Sequence, residues 1–236
     1  MENKNLIEVY ELLLEHFGFQ NWWPVAGEGQ TKPTYEKRKS LTEGQRLEIC
    51  IGAILAQNTN WKNVDRVLGD MHGKGLMDLG RLRRLDEKKL ASIIRPSGYY
   101  NQKAKKLRTF LDFLFKEYGG NVEDFRKVDI DELRAQLRSL WGIGEETADC
   151  ILLYAAEKPS FVIDAYTKRV FSRMGMLDGI AGYADFKAFF ENNLPKDILV
   201  YKEFHALIDE LAKNYCAVRP RCDSCPVADH CARKID

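Results

Sequence analysis

Apolar residues recur at three- and four-residue intervals along most of the chain, the period of helices that bury one face. Leu6, Val9, Tyr10, Leu13, Leu14 and Phe17 predict an amphipathic helix that stops near Gly18. Residues 45–57, QRLEICIGAILAQ, predict a strongly apolar helix running out into Gln57-Asn58-Thr59-Asn60. Leu107, Phe110, Leu111 and Leu114 mark another, and Ile130, Leu133, Leu137 and Leu140 a further one that runs into Gly142-Ile143-Gly144. A helix resumes near Glu145. After Pro159 and the apolar run Phe161-Val162-Ile163, Asp164 stands as a good N-cap for a helix continued by Val170, Phe171 and Met174. Phe186, Phe189 and Phe190, then Phe204, Leu207, Ile208 and Leu211, give two more. No convincing strand pair or internal repeat stands out, so the expected fold is all-α.

The Gly142-Ile143-Gly144 turn makes the region a helix-hairpin-helix. Two glycines permit backbone conformations that other residues resist. With so little side chain, the turn's amides can approach a phosphate closely, and the positive end of the following helix favours the same anion. The alternative is an ordinary helical hairpin with a glycine C-cap.

Composition narrows the picture. A chain of 236 residues, 45% hydrophobic and 30% charged, can bury a sizeable core as one large domain or two small ones. The net charge of +1 gives no general pull toward nucleic acid, so any such footprint is local. One stretch qualifies: between Arg81 and Arg108 stand ten basic residues against Asp86 and Glu87. Charge runs of this kind are usually solvated helix faces. No signal-like or bilayer-spanning segment stands out, so an intracellular location without membrane attachment is expected. Six cysteines in a reducing compartment then point to metal or core roles.

Three further stretches carry candidate chemistry. Trp22-Trp23-Pro24 offers either core anchors or a stacking wall for a base. Residues 95–107, RPSGYYNQKAKKL, place Gly98, which lets a loop protrude, before Tyr99, with Lys103, Lys105 and Lys106 opening a helix where phosphates could lie. At the end of the chain, Cys216, Cys222, Cys225 and Cys231 form a C-x5-C-x2-C-x5-C array. Four thiolates can enclose zinc or a [4Fe–4S] cluster, and counting ligands does not choose between them.

Taken together, L-x-G-I-G-x-x-T-A at 140–148, V-I-D-x-x-x-x-R-V at 162–170, A-Q-N-T at 56–59, G-Y-Y-N-x-K-A at 98–104 and the cysteine array resemble the helix-hairpin-helix DNA glycosylase superfamily, the endonuclease III branch in particular. Trp22-Trp23-Pro24 resembles the aromatic segment of the 3-methyladenine DNA glycosylase III group. The cysteine array resembles the [4Fe–4S] loop of endonuclease III and the adenine-mismatch glycosylases, with its first gap one residue shorter.

The resemblance implies roles for individual residues. Asp164 would be the catalytic carboxylate. Glu146 occupies the position of the nucleophilic lysine in members that also cut the backbone, and a glutamate cannot form a Schiff base, so the chain is expected to be monofunctional. Gln57 would enter the gap left by an extruded nucleotide and Tyr99 would be the wedge. Asn101 would fix the loop, Lys103 would contact phosphate, and Gly142 and Gly144 would carry the hairpin's DNA contacts. Trp22 and Trp23 would line the base pocket. The implied architecture has a six-helix domain at 41–158 with the hairpin, and a second domain from 1–40 plus 159–236 with the cluster. The expected function is release of a damaged base from double-stranded DNA by a monomer, first an alkylated purine such as 3-methyladenine. Uracil, mismatched thymine or oxidised bases, with or without lyase activity, form one alternative, and a non-catalytic iron–sulfur DNA-binding module the other.

Overall fold

The computed structural model describes residues 6–27 and 29–235, and the chain divides into two compact units. One comprises Trp23–Lys158; the other comprises the chain up to Trp22 and from Pro159 onward. The architecture is helical, with eleven α-helices among the described residues. None of these helices is long and apolar enough to cross a membrane.

The Trp23–Lys158 unit is built around helix α2 (Glu43–Leu55), every residue of which from Arg46 to Leu55 is buried. Thr42 starts it with a capping box, its hydroxyl accepting from the Gln45 amide while Gln45 reaches back to the Thr42 amide. Two ionisable groups on this buried helix are fully paired. The Arg46 guanidinium lies 2.5 Å from Glu123, pairs with Glu157 at 2.8 Å and donates to the Ala155 carbonyl. Glu48 accepts from the Ala26 amide and pairs with His72 at 3.0 Å. Around α2 lie α3 (Trp61–Gly73), α4 (Leu79–Arg84), α5 (Glu87–Ile93), α6 (Tyr100–Tyr118), α7 (Ile130–Ser139) and α8 (Glu145–Cys150), the last passing into a π-helical turn at Ile151–Ala155.

Two differences from the sequence-based expectation belong here. A minimal antiparallel pair does form, β1 (Val25–Ala26) with β2 (Pro33–Thr34), Val25 opposite Thr34. Two residues per strand are too few to show an alternating pattern. The segment 23–40, expected with the terminal regions, belongs to the α2 unit instead. Its backbone is tied there: Glu48 and Gln45 both bond Ala26, and Arg38 donates to the carbonyls of Val25 and Thr34.

The second unit joins α1 (Leu6–Phe17) to α9 (Ala165–Arg173), α10 (Tyr183–Asn193) and α11 (Ile198–Asn214). Its core is aromatic. Phe161 stacks on Phe190 with centroids 4.2 Å apart, and Phe171, Tyr201 and Phe204 close around them edge-on. Burial, reinforced by Glu191, pushes the Tyr201 phenol up to about 12. Arg169 and Arg173 on α9 donate to the carbonyls of Ala212, Cys216 and Ala217, pinning the start of the cysteine loop.

Candidate active site

The hairpin is set by the α7–α8 junction. Arg134 on α7 grips the buried Asp149 of α8 with two parallel bonds of 2.8 and 3.0 Å, locking the two helices together. Between them the chain turns through Leu140–Gly144, the Ile143 amide bonding the Leu140 carbonyl. Gly142 is in the left-handed region at φ +83°, and a β-carbon there would meet the Lys106 stem at 2.5 Å. Gly144 is in extended backbone, φ −90° and ψ −177°, open to any residue. Its value is different: a glycine N-cap has no side-chain oxygen to offer the first amides of α8. Trp141 projects from the turn half-exposed, with the Lys105 ammonium 4.4 Å from its ring centroid. Glu146 is exposed on the first turn of α8.

Helix α6 carries the next candidates. Gly98 (φ +70°) and Tyr99 (φ +45°) bend the chain before it, and Tyr99 is 67% exposed at its tip. A tyrosine held in the left-handed region is strained backbone spent on presenting a side chain. Asn101 is exposed one residue into the helix. Gln57 lies just past the end of α2, donating to the Gly142 carbonyl at 3.1 Å and the Thr147 hydroxyl at 2.9 Å while accepting from Lys106. The structure therefore brings Gln57, Lys106, Gly142 and Thr147 into one hydrogen-bonded group.

Lys103 is not a phosphate contact. It is 2% exposed, and its ammonium donates to the carbonyls of Leu55 and Ser97 at 2.8 and 2.7 Å. Burial, with the Lys106 charge, lowers it to about 8. It ties the end of α2 to the loop before Tyr99, and the cationic face of α6 is carried by Lys105 and Lys106. Trp23 likewise takes the core alternative: it is 8% exposed, edge-on to Trp61 at 5.2 Å, tilted on Tyr154 at 5.3 Å, and seated over Gly52. Trp22 is half-buried at the boundary of the other unit.

In that other unit, Asp164 caps α9. One carboxylate oxygen accepts from the Thr167 amide at 2.7 Å, and the other lies 3.9 Å from Nε2 of His205 on α11. Asp209, one turn along α11, bonds Lys213 a turn further on. Burial raises the Asp209 carboxyl, the Asp164 charge pushes the same way, and Lys213 and His205 oppose both. Farther along, Cys216, Cys222, Cys225 and Cys231 line a cavity of about 30 Å³ with Arg173, Tyr215 and Arg233, and no disulfide links them. The Arg233 amide donates to Sγ of Cys231 at 3.3 Å, and Arg173 donates to Sγ of Cys216 at 3.6 Å. Among the described residues no three His, Cys, Asp or Glu side chains converge as ligands of one ion.

The profile of HhH-GPD superfamily base excision DNA repair proteins matches residues 51–196, a span that holds both the hairpin and Asp164. The chain belongs to that superfamily. A DNA repair glycosylase assignment in Methanocaldococcus jannaschii is 44% identical over 99% of both chains. Endonuclease III of Sulfolobus acidocaldarius is 28% identical over 79% of this chain and 81% of its own. Among solved structures, the H. pylori 3-methyladenine DNA glycosylase bound to 1,N6-ethenoadenine superimposes with a TM-score of 0.69 at 26% identity, covering 90% of this chain and 98% of that one.

Two features of this DNA glycosylase lie outside the motifs. The His205, Asp209, Lys213 series was legible only as a four-residue spacing of ionisable residues along α11. Lys106 was legible as basic, but its packing across Gly142 joins residues 36 positions apart in sequence, which periodicity cannot reveal.

Proposed function

We propose that this glycosylase is monofunctional and hydrolyses the N-glycosidic bond of a flipped alkylated purine, such as 3-methyladenine, in double-stranded DNA, acting as a monomer. The observation that carries the reading is Asp164: one oxygen is fixed by the α9 amide and the other is held within reach of solvent, the side chain 19% exposed. As the C1′–N bond breaks, its electron pair leaves with the base and positive charge develops on the sugar. An ionised carboxylate stabilises that charge, then receives a proton as water attacks C1′. A cationic alkylated base is already a good leaving group, so the reaction needs little acid assistance at the base. The ethenoadenine in the H. pylori relative supports a modified purine, and Trp22 would be its stacking face. Tyr99 would wedge the duplex, Asn101 would fix its loop, Gln57 would fill the gap, and Gly142 and Gly144 would seat a phosphate.

The four cysteines fit a [4Fe–4S] cluster better than zinc. They surround a common cavity without converging on one point, and amide and guanidinium donors already reach two of the sulfurs. The cluster would cross-link the loop after α11 and so hold its fold. Iron and sulfide content of the purified protein decides between the two.

Mass spectrometry of bases released from DNA carrying methylated purines, uracil and oxidised bases tests the function, with Asp164→Asn in parallel. Methylpurine released by the unaltered protein alone is the expected result; another base would replace the substrate and keep the mechanism. A second reading, retained lyase activity, is favoured by Lys106, whose amine is lowered by burial beside the hairpin. Borohydride trapping on abasic DNA separates the two, a covalent adduct being absent from the monofunctional enzyme.

A further inference from the structure

We infer that His205, Asp209 and Lys213, one helical turn apart on α11, form a positioning ridge that orients the Asp164 carboxylate for base release; this rests on the proposed role of Asp164. Residues at i, i+4 and i+8 share one edge of a helix. On α11 that edge borders the buried stripe of Phe204, Leu207, Ile208 and Leu211. His205 faces the one Asp164 oxygen that the α9 amide does not hold, at 3.9 Å. Lys213 bonds Asp209 and stands 4.0 Å from Glu210.

Burial raises Asp209, Asp164 adds to the rise, and Lys213 and His205 counter it. Burial alone would lower Lys213, yet its bond to Asp209 leaves it raised. Packing does not call for this arrangement. Half-buried charges at the border of an apolar stripe carry a desolvation cost that neutral residues would not, and ion pairs open to water return little stability. Ionisable groups gathered beside a partly open carboxylate are a recurrent arrangement at working sites. The division of labour follows from the geometry: Thr167 fixes one Asp164 oxygen, His205 sets the direction of the other, and the Asp209–Lys213 pair steadies the imidazole electrostatically.

Single-turnover base release by the full chain, on DNA carrying methylated purines, uracil and oxidised bases, tests the ridge. We expect His205→Gln and Lys213→Met each to slow release roughly 10- to 100-fold, with DNA affinity and thermal midpoint unchanged. Lys213→Arg restores most of the rate, and Asp209→Asn combined with Lys213→Met is no slower than either alone. Should His205→Gln fail to fold, the Lys213→Met and Lys213→Arg pair decides, because that end of the ridge is the more exposed. Wild-type rates in these variants alongside a dead Asp164→Asn protein overturn the ridge and leave Asp164 in place. An active Asp164→Asn protein, or no base released by the unaltered chain, overturns the reading beneath it.

Discussion

The two units of this glycosylase each contain a carboxylate beside a basic side chain, and the two differ in how completely they are satisfied. Asp149 in the hairpin unit is fully buried and receives both arms of the Arg134 fork at hydrogen-bond distance. Asp164 in the other unit accepts one amide, faces an imidazole too distant for a hydrogen bond, and stays partly open to water. Asp149 is built to hold two helices in register. Asp164 keeps an oxygen in reserve, and its neighbours on α11 carry more charge than packing requires. Under the proposed role of Asp164, saturation of the partners, more than the presence of charge, separates the structural pair from the chemical one.

The sharpest way to break this contrast is to neutralise each carboxylate. Asp164→Asn should cut base release by about 100-fold or more while the denaturation midpoint and DNA binding hold. Asp149→Ala should do the opposite, costing roughly 1–3 kcal/mol of stability by removing the buried half of the α7–α8 clasp while Arg134 keeps Glu145, read by urea unfolding. A comparable effect is expected at Gly142→Ala, where positive φ and the Lys106 stem both oppose a β-carbon: about 1–3 kcal/mol of stability, with weaker DNA binding in gel shifts. Tyr99→Ala should leave stability alone and weaken binding to lesion-bearing duplex by roughly 1–3 kcal/mol. The finest discrimination is along α6. Lys105→Met should reduce the salt slope of DNA binding by about one, whereas Lys103→Met should leave that slope unchanged and lower the melting temperature.

That last pair shows what the sequence made legible and where it stopped. Lys103 lies four residues before Leu107 and eight before Leu111, so its place on the buried face of α6 was already written in the spacing, and the basic run around it hid that signal. The short helices α4 and α5 announce themselves mainly through their caps, Asp78 and Asp86, each accepting from an amide three residues on, while α3 adds Val64, Val67, Leu68 and Met71 at helical spacing to its Asn60 cap. The hairpin and the Asp164 cap were readable because their determinants are local. Trp23 was not: whether an indole lines a pocket or fills a core depends on what stands opposite, here Gly52, Trp61 and Tyr154. The relation of the α11 series to Asp164 was hidden for the same reason, since His205 gains meaning only from a residue 41 positions earlier in the sequence.

The seating of Lys106 across Gly142 makes α6 a ruler. The same rigid helix begins at the strained Tyr99 tip and, two turns later, clasps the hairpin, a separation of about 10 Å at 1.5 Å per residue. Under the proposed roles, depth of insertion between bases and reach to the sugar-phosphate strand are then one length, not two. A duplex must then present both at that interval to be engaged.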